Sequence, residues 1–238
     1  MEKWKELYAK WKNLSKELFR NSLNDYNEKS YRDLYNLFEE ILSNKETADN
    51  EYAFFLLATI YSNEKFLDVS NQILYYEKYL KNPISENAPS LEMIYLELGE
   101  AYEKEYDFFN AIKYLQLHFQ ETAKRFNDSP KEVYRKEFGR KLKFLVWKSK
   151  DEEIDFIYQF TRIGELYLKL SAQLAVNYYD HLKSLPYYEE DSKYKEVIDL
   201  SYMDAYSRQV SGYVYRPRSK SDQIKYQTIM EKYSDNLK

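Results

Sequence analysis

The chain has 238 residues, a net charge of −4, and apolar and charged fractions of 44% and 32%, enough to build a core inside a well-solvated surface. With no cysteine it excludes disulfides, thiolate metal sites and cysteine nucleophiles, which fits a reducing cytoplasm. Only 4 glycines and 5 prolines argue against folds that need many special turns, no run of roughly 18 uncharged apolar residues offers a membrane span, and so weak a net charge marks no polyanion partner for the chain as a whole.

Apolar residues recur at three- and four-residue spacing along nearly the whole chain, the helical period, and predict about eleven helices. The first, 2–20, carries lysine and glutamate in every turn and lacks the apolar core of a secretory leader. Helices at 28–44, 50–64 and 67–81 follow, and the loop from Asn82-Pro83 to Pro89-Ser90 breaks the pattern. Ser90 is placed to cap 90–105. Asp107 is placed to open 107–125 by capping and by the helix dipole. Ser129-Pro130-Lys131-Glu132 joins an N-cap serine, a proline at the first helical position and a capping-box glutamate, which predicts 130–148. Helices at 151–170 and 172–185 come next, the latter ended by Pro186. Arg216-Pro217-Arg218 separates the last two, 191–209 and 219–235. No low-complexity linker intervenes, so the expectation is all-α, one helical array over 1–238.

Residues 98–115, LGEAYEKEYDFFNAIKYL, carry the clearest internal signature. With Tyr95 before them they read aromatic-x2-Leu-Gly-x2-Tyr, then Ala111 and Leu115. Phe160, Ile163, Gly164 and Tyr167 repeat the first-helix spacing, followed by Ala175, Tyr179, Leu182 and Pro186. Phe54, Leu57, Ala58 and Tyr61 repeat it again, followed by Ser70, Leu74 and Pro83. Small residues at Gly99 and Ala111 allow two helices to cross closely, with Tyr95, Leu98, Tyr102 and Leu115 filling the surrounding space. This pattern resembles the tetratricopeptide repeat (TPR), with units at about 51–84, 92–125 and 157–186 and degenerate or capping helices at both ends. The resemblance implies a TPR-like superhelix of antiparallel hairpins. The interval from Gly99 to Gly164 holds no second signature, and one long helix stands where a full pair would.

Catalytic chemistry is not announced. Isolated Gly99, Gly139, Gly164 and Gly212 make neither a Walker loop nor a dinucleotide fingerprint. His118 and His181 fall in second helices, where packing or a surface position is the commoner role. The acidic clusters Asp151-Glu152-Glu153 and Glu189-Glu190-Asp191 sit at helix starts and suit the positive dipole end. No metal, no cofactor and no enzymatic activity are expected. The 27 tyrosines fit helix packing first and an amphipathic binding face second. Residues 129–150 hold eight basic residues against two acidic ones, including Lys131, Arg135, Lys136, Arg140, Lys141 and Lys143. With Tyr134, Phe138, Phe144 and Trp147 between them they suggest a nucleic-acid surface. Tyr134, Phe138, Leu142 and Leu145 share one helical face, however, which favours ordinary burial beneath a solvated basic side.

In the family that the pattern resembles, partners lie in a concave groove lined by the first helix of each hairpin. The matching positions are Tyr52, Phe55, Thr59, Ser62 and Asn63 in the first unit, and Met93, Leu96, Glu100, Glu103 and Lys104 in the second. In the third they are Tyr158, Thr161, Glu165, Leu168 and Lys169. Phe55, Leu96 and Glu100 replace the basic and amide residues that clamp chaperone carboxylates. An apolar groove edged by Glu100, Glu103 and Glu165 calls instead for a protein or peptide with apolar anchors and at least one basic residue. For Phe55 and Leu96, packing against neighbouring helices is an equal alternative. The expected role is an intracellular adaptor, regulator or cognate inhibitor.

Overall fold

The computed structural model describes residues 1–21, 28–84, 89–127, 150–184, 188–189 and 192–233. Among these residues it contains ten α-helices, a short 3-10 turn and no strand. The fold is all-α, and each predicted helix within the described residues has an observed counterpart. The predicted helix 130–148 lies outside them. The chain divides into two compact units, Met1–Pro89 and Ser90–Lys238, with the boundary in the loop that breaks the helical period.

The N-terminal unit holds α1 (Glu2–Asn21), α2 (Glu28–Leu42), the 3-10 turn Lys45–Thr47, α3 (Glu51–Ser62) and α4 (Val69–Lys81). Asn50 opens α3, its side-chain oxygen accepting from the amides of Tyr52 and Ala53, and Asp68 opens α4 by accepting from Asn71. These caps satisfy amides that the first turn leaves without an intrahelical partner. Helix α3 is apolar around most of its circumference, with Phe55, Leu56, Leu57, Ala58 and Ile60 all fully buried. Such a helix requires cover on more than one side, and α1, α2 and α4 all pack on it. The indole of Trp4 donates to the Thr47 carbonyl at 3.2 Å, tying α1 to the 3-10 turn.

The C-terminal unit holds α5 (Leu91–Lys104), α6 (Phe108–Asn127), α7 (Lys150–Leu170), α8 (Ala172–Lys183), α9 (Ser192–Val210) and α10 (Lys220–Lys232). Ser90 caps α5 as expected, its hydroxyl accepting from the Met93 amide, and Asp107 caps α6 by accepting from the Asn110 amide at 3.1 Å. Its core joins Leu115 and Phe119 of α6, Phe160, Ile163 and Leu166 of α7, Tyr179 and Leu182 of α8, and Tyr194 and Ile198 of α9. Phe119 and Phe160 stack with ring centres 5.5 Å apart.

Both signature glycines lie at close helix crossings. A Cβ on Gly99 would fall 2.8 Å from Leu115 Cγ, and one on Gly164 only 2.1 Å from the Tyr179 hydroxyl oxygen. Hydrogen in place of a side chain is what lets α5 approach α6, and α7 approach α8, at these points. Two buried tyrosines beside the second crossing keep their hydroxyls engaged: Tyr178 donates to the Phe160 carbonyl at 3.2 Å and Tyr179 to that of Thr161 at 3.4 Å. Packing therefore accounts for these tyrosines.

Candidate functional site

The turn between α5 and α6 positions the site in the C-terminal unit. Helix α5 ends at Lys104, and the Asp107 amide donates back to the Tyr102 carbonyl at 2.9 Å. That six-to-one bond is the signature of a Schellman turn. The residue it forces into the left-handed region is Tyr106, at φ 63°. Glycine is the usual occupant there, and a bulky residue is strained by of order 1 kcal/mol. Asp107 then starts α6, delivering Phe108, 1% exposed, to the first helical position.

Around this turn lies a solvent-open cavity of about 400 Å³. Glu100, Glu103 and Lys104 of α5 line one side and Arg162 and Lys169 of α7 another. Tyr106, Phe108 and Tyr215 close an aromatic end. Glu100 and Glu103 lie three residues apart and Arg162 and Lys169 seven apart, so each pair shares a helical face. The Arg162 guanidinium donates to Glu100 at 3.2 Å and to Glu103 at 2.9 Å, and the Lys169 ammonium donates to Glu103 at 2.8 Å. Lys169 also stands 5.1 Å from the centre of the Phe108 ring, within cation–π range.

Burial opposes ionisation of Glu103, but the hydrogen bonds from Lys169 and Arg162 outweigh it and hold the carboxyl below its usual range. Burial likewise opposes the charge on Arg162, and Glu103 more than restores it. Burial, reinforced by Glu100, raises the neighbouring Glu97 carboxyl despite Lys104. Glu103 and Arg162 are thus held charged and pre-oriented. Within the Arg162–Glu100 pair the cation is the less accessible partner: the Arg162 side chain is 16% exposed against 41% for Glu100.

Of the predicted groove positions, Glu100, Glu103, Lys104 and Lys169 come together at this cavity. Met93 and Glu165 are exposed elsewhere on the same unit, Leu96 packs against the core, and Thr161 is half-buried. The side chain of Tyr158 lies outside those described. In the N-terminal unit Phe55 requires correction: it is fully buried, with Trp11, Tyr79 and Tyr8 ring centres at 5.0, 5.5 and 6.0 Å. It is a core residue, because α1 covers the face that the repeat spacing assigns to the groove. Tyr52 packs edge-on against Tyr8, the Thr59 hydroxyl donates to the Phe55 carbonyl, and the Asn63 side chain accepts from the Lys65 amide. These three also serve local structure.

Lys131, Arg135, Lys136, Arg140, Lys141 and Lys143 lie outside the described residues. His118 Nδ1 is 2.9 Å from the Glu92 carbonyl, and His181 is exposed. Among the described residues there is no group of three or more side chains suited to hold a metal ion and no helix long and apolar enough to cross a membrane. Sequence reasoning missed Arg162, Tyr106, Phe108 and Tyr215. Arg162 was legible as a cation seven residues before Lys169, whereas Tyr215 reaches the cavity from more than a hundred residues beyond α5 and left no local signal. Compared with known proteins, the chain matches no family model, no curated protein and no solved structure.

Proposed function

We propose that the chain is a protein- or peptide-binding module without enzymatic activity, built from helical pairs of the TPR type and acting as an adaptor, regulator or cognate inhibitor. Support for the repeat reading comes from the two glycine crossings and from the matching aspartate caps of α4 and α6. The observation that carries the binding reading is the cavity beside α5 and α7, where a pre-oriented charge network meets an aromatic end.

An incoming segment meets the carboxylate of Glu100 more readily than the guanidinium behind it, and Glu165 lies exposed further along α7. A basic residue with an apolar neighbour fits that surface, the charge giving orientation and the rings giving contact area. The test is affinity capture from the source cell followed by mass spectrometry, with the unaltered chain and with Glu100→Lys plus Glu165→Lys. The double variant is expected to lose captured partner at least tenfold, roughly the effect of reversing charges at a complementary interface. Equal recovery from both would remove the groove assignment.

A further inference from the structure

The C-terminal segment of the chain itself is seated at the aromatic end of this cavity. Helix α9 ends at Val210 in a second Schellman turn, where the Tyr213 amide donates to the Arg208 carbonyl at 2.9 Å. Its left-handed residue is Gly212, at φ 69°, with open space where a Cβ would stand. Beyond it Tyr215 lies edge-on to Phe108 with ring centres 5.7 Å apart and forms part of the cavity wall.

Helix α10 then runs past the α5–α6 turn. The Tyr226 ring is 5.9 Å from Phe108 and its hydroxyl donates to the Lys169 carbonyl at 2.8 Å. Seven residues on, Tyr233 sits 4.5 Å from the Phe109 ring and accepts from the Asn110 side chain at 3.0 Å. Seven residues make about two helical turns, so the two rings lie on one face. Lys225 pairs with Glu105 at 3.0 Å.

These contacts are peripheral. No residue of α10 is buried: Ile224 is 68% exposed, and Tyr226 and Met230 reach the core only half-buried. By contrast α8 buries six residues. A helix held by tyrosine rings, one methionine, one ion pair and side-chain hydrogen bonds makes contacts that another segment of like chemistry can reproduce. The left-handed glycine before it, with open space where a Cβ would stand, supplies a point at which the backbone can turn, and the movement releases Tyr215 and Tyr226 from Phe108.

We propose that Glu105, Phe108, Phe109 and Asn110 form a docking surface for an amphipathic helix bearing tyrosines seven residues apart with a lysine beside the first, and that α10 is its resident, exchangeable occupant. This rests on the binding role proposed above and names the chemistry of a partner. A partner segment enters by displacing α10 about Gly212, so occupancy of the surface and release of the C-terminal helix are one event.

The probe is a fluorescein-labelled peptide of residues 213–233 added to the full-length chain and followed by anisotropy. The unaltered chain carries its own competitor at an effective concentration in the millimolar range, so loosening α10 by Tyr226→Ala plus Tyr233→Ala is expected to tighten peptide binding at least about tenfold. Adding Phe109→Ala and Glu105→Lys to that variant should abolish the gain. Because the loosened residues are not buried, unchanged helix content by circular dichroism accompanies the expected result. Hydrogen exchange provides the second measurement: amides 223–232 of the unaltered chain should exchange at least about a hundredfold faster than those at the centres of α5 and α6. Equal peptide binding by loosened and unaltered chains, absence of binding to both, or α10 protection equal to that of α6 would each overturn the proposal. None of those outcomes touches the lysate capture, whose variants at Glu100 and Glu165 leave the α10 contacts intact.

Discussion

In α3–α4 and in α5–α6 an aspartate opens the second helix and an asparagine three residues later closes a two-pronged hydrogen bond on it. The Asn71 amide and side chain reach Asp68 at 3.0 and 2.7 Å, and those of Asn110 reach Asp107 at 3.1 and 2.8 Å. From this shared start the two regions diverge. The first pair is covered by α1 and α2 and turns Phe55 into the centre of an aromatic core. The second keeps charged residues of α5 beside those of α7 and leaves a cavity open to solvent. Identical local capping therefore does not decide what a helical pair does; the residues that meet its first helix do.

The largest expected effect breaks the closed side of this comparison. Phe55→Ala should cost the N-terminal unit about 3–5 kcal/mol, the range for removing a fully buried phenylalanine, measured by urea denaturation. Tyr52→Ala, at a half-buried position on the same helix, is the control and should cost clearly less. Equal costs would return Phe55 to the surface.

The glycine crossings come next. Gly164→Ala places a methyl against Tyr179, which is 3% exposed and hydrogen-bonded and so has nowhere to move. Overpacking of this kind costs about 1–3 kcal/mol, set against the gain of up to about 1 kcal/mol that alanine brings to a helix interior. Gly99→Ala meets Leu115 at 2.8 Å and should cost less. The reverse order would mean that α7 and α8 separate more easily than α5 and α6.

A smaller effect probes the open side. Glu103 has a folded-state carboxyl held below its ordinary value of 4.5, so its contribution is fully present above that value and is lost as the pH falls through the depressed folded value. The chain should lose stability on acidification below pH 4.5, and Glu103→Gln should flatten part of that loss while lowering stability at neutral pH by about 1–2 kcal/mol, as expected for charged hydrogen bonds at a partly exposed site. An unaltered acid limb would show that Arg162 and Lys169 do not hold the carboxylate in solution.

Much of the fold was legible because its determinants are local. Ser90 and Asp107 cap where their neighbours in sequence predict, and Gly99 and Gly164 lie at helix crossings, whereas Ser70 and Leu74 of the first unit face solvent. The site was legible in part for the same reason: Glu100, Glu103, Lys104 and Lys169 follow from helical spacing alone. Phe55 did not, because α3 is apolar nearly all round and its own pattern cannot say which face α1 will cover. Tyr106 and Tyr215 depend on a left-handed turn and on a distant segment, and neither leaves a periodic trace.

The smallest effect compares the two Schellman turns directly. Tyr106 and Gly212 share nearly the same φ, 63° and 69°, but only Gly212 is the residue that conformation favours. Gly212→Ala, with open space around it, should cost about 1 kcal/mol from backbone strain alone. Tyr106→Gly should recover a similar amount of strain while losing the ring that lies edge-on to Phe108 at 6.1 Å, a contact worth about 0.5–1.5 kcal/mol. The two terms oppose, so the chemical-denaturation midpoint should move little, even though the cavity loses a wall. A gain in stability above about 1 kcal/mol would mean that the ring contributes almost nothing to folding, leaving the cavity as the reason for a strained tyrosine at that turn.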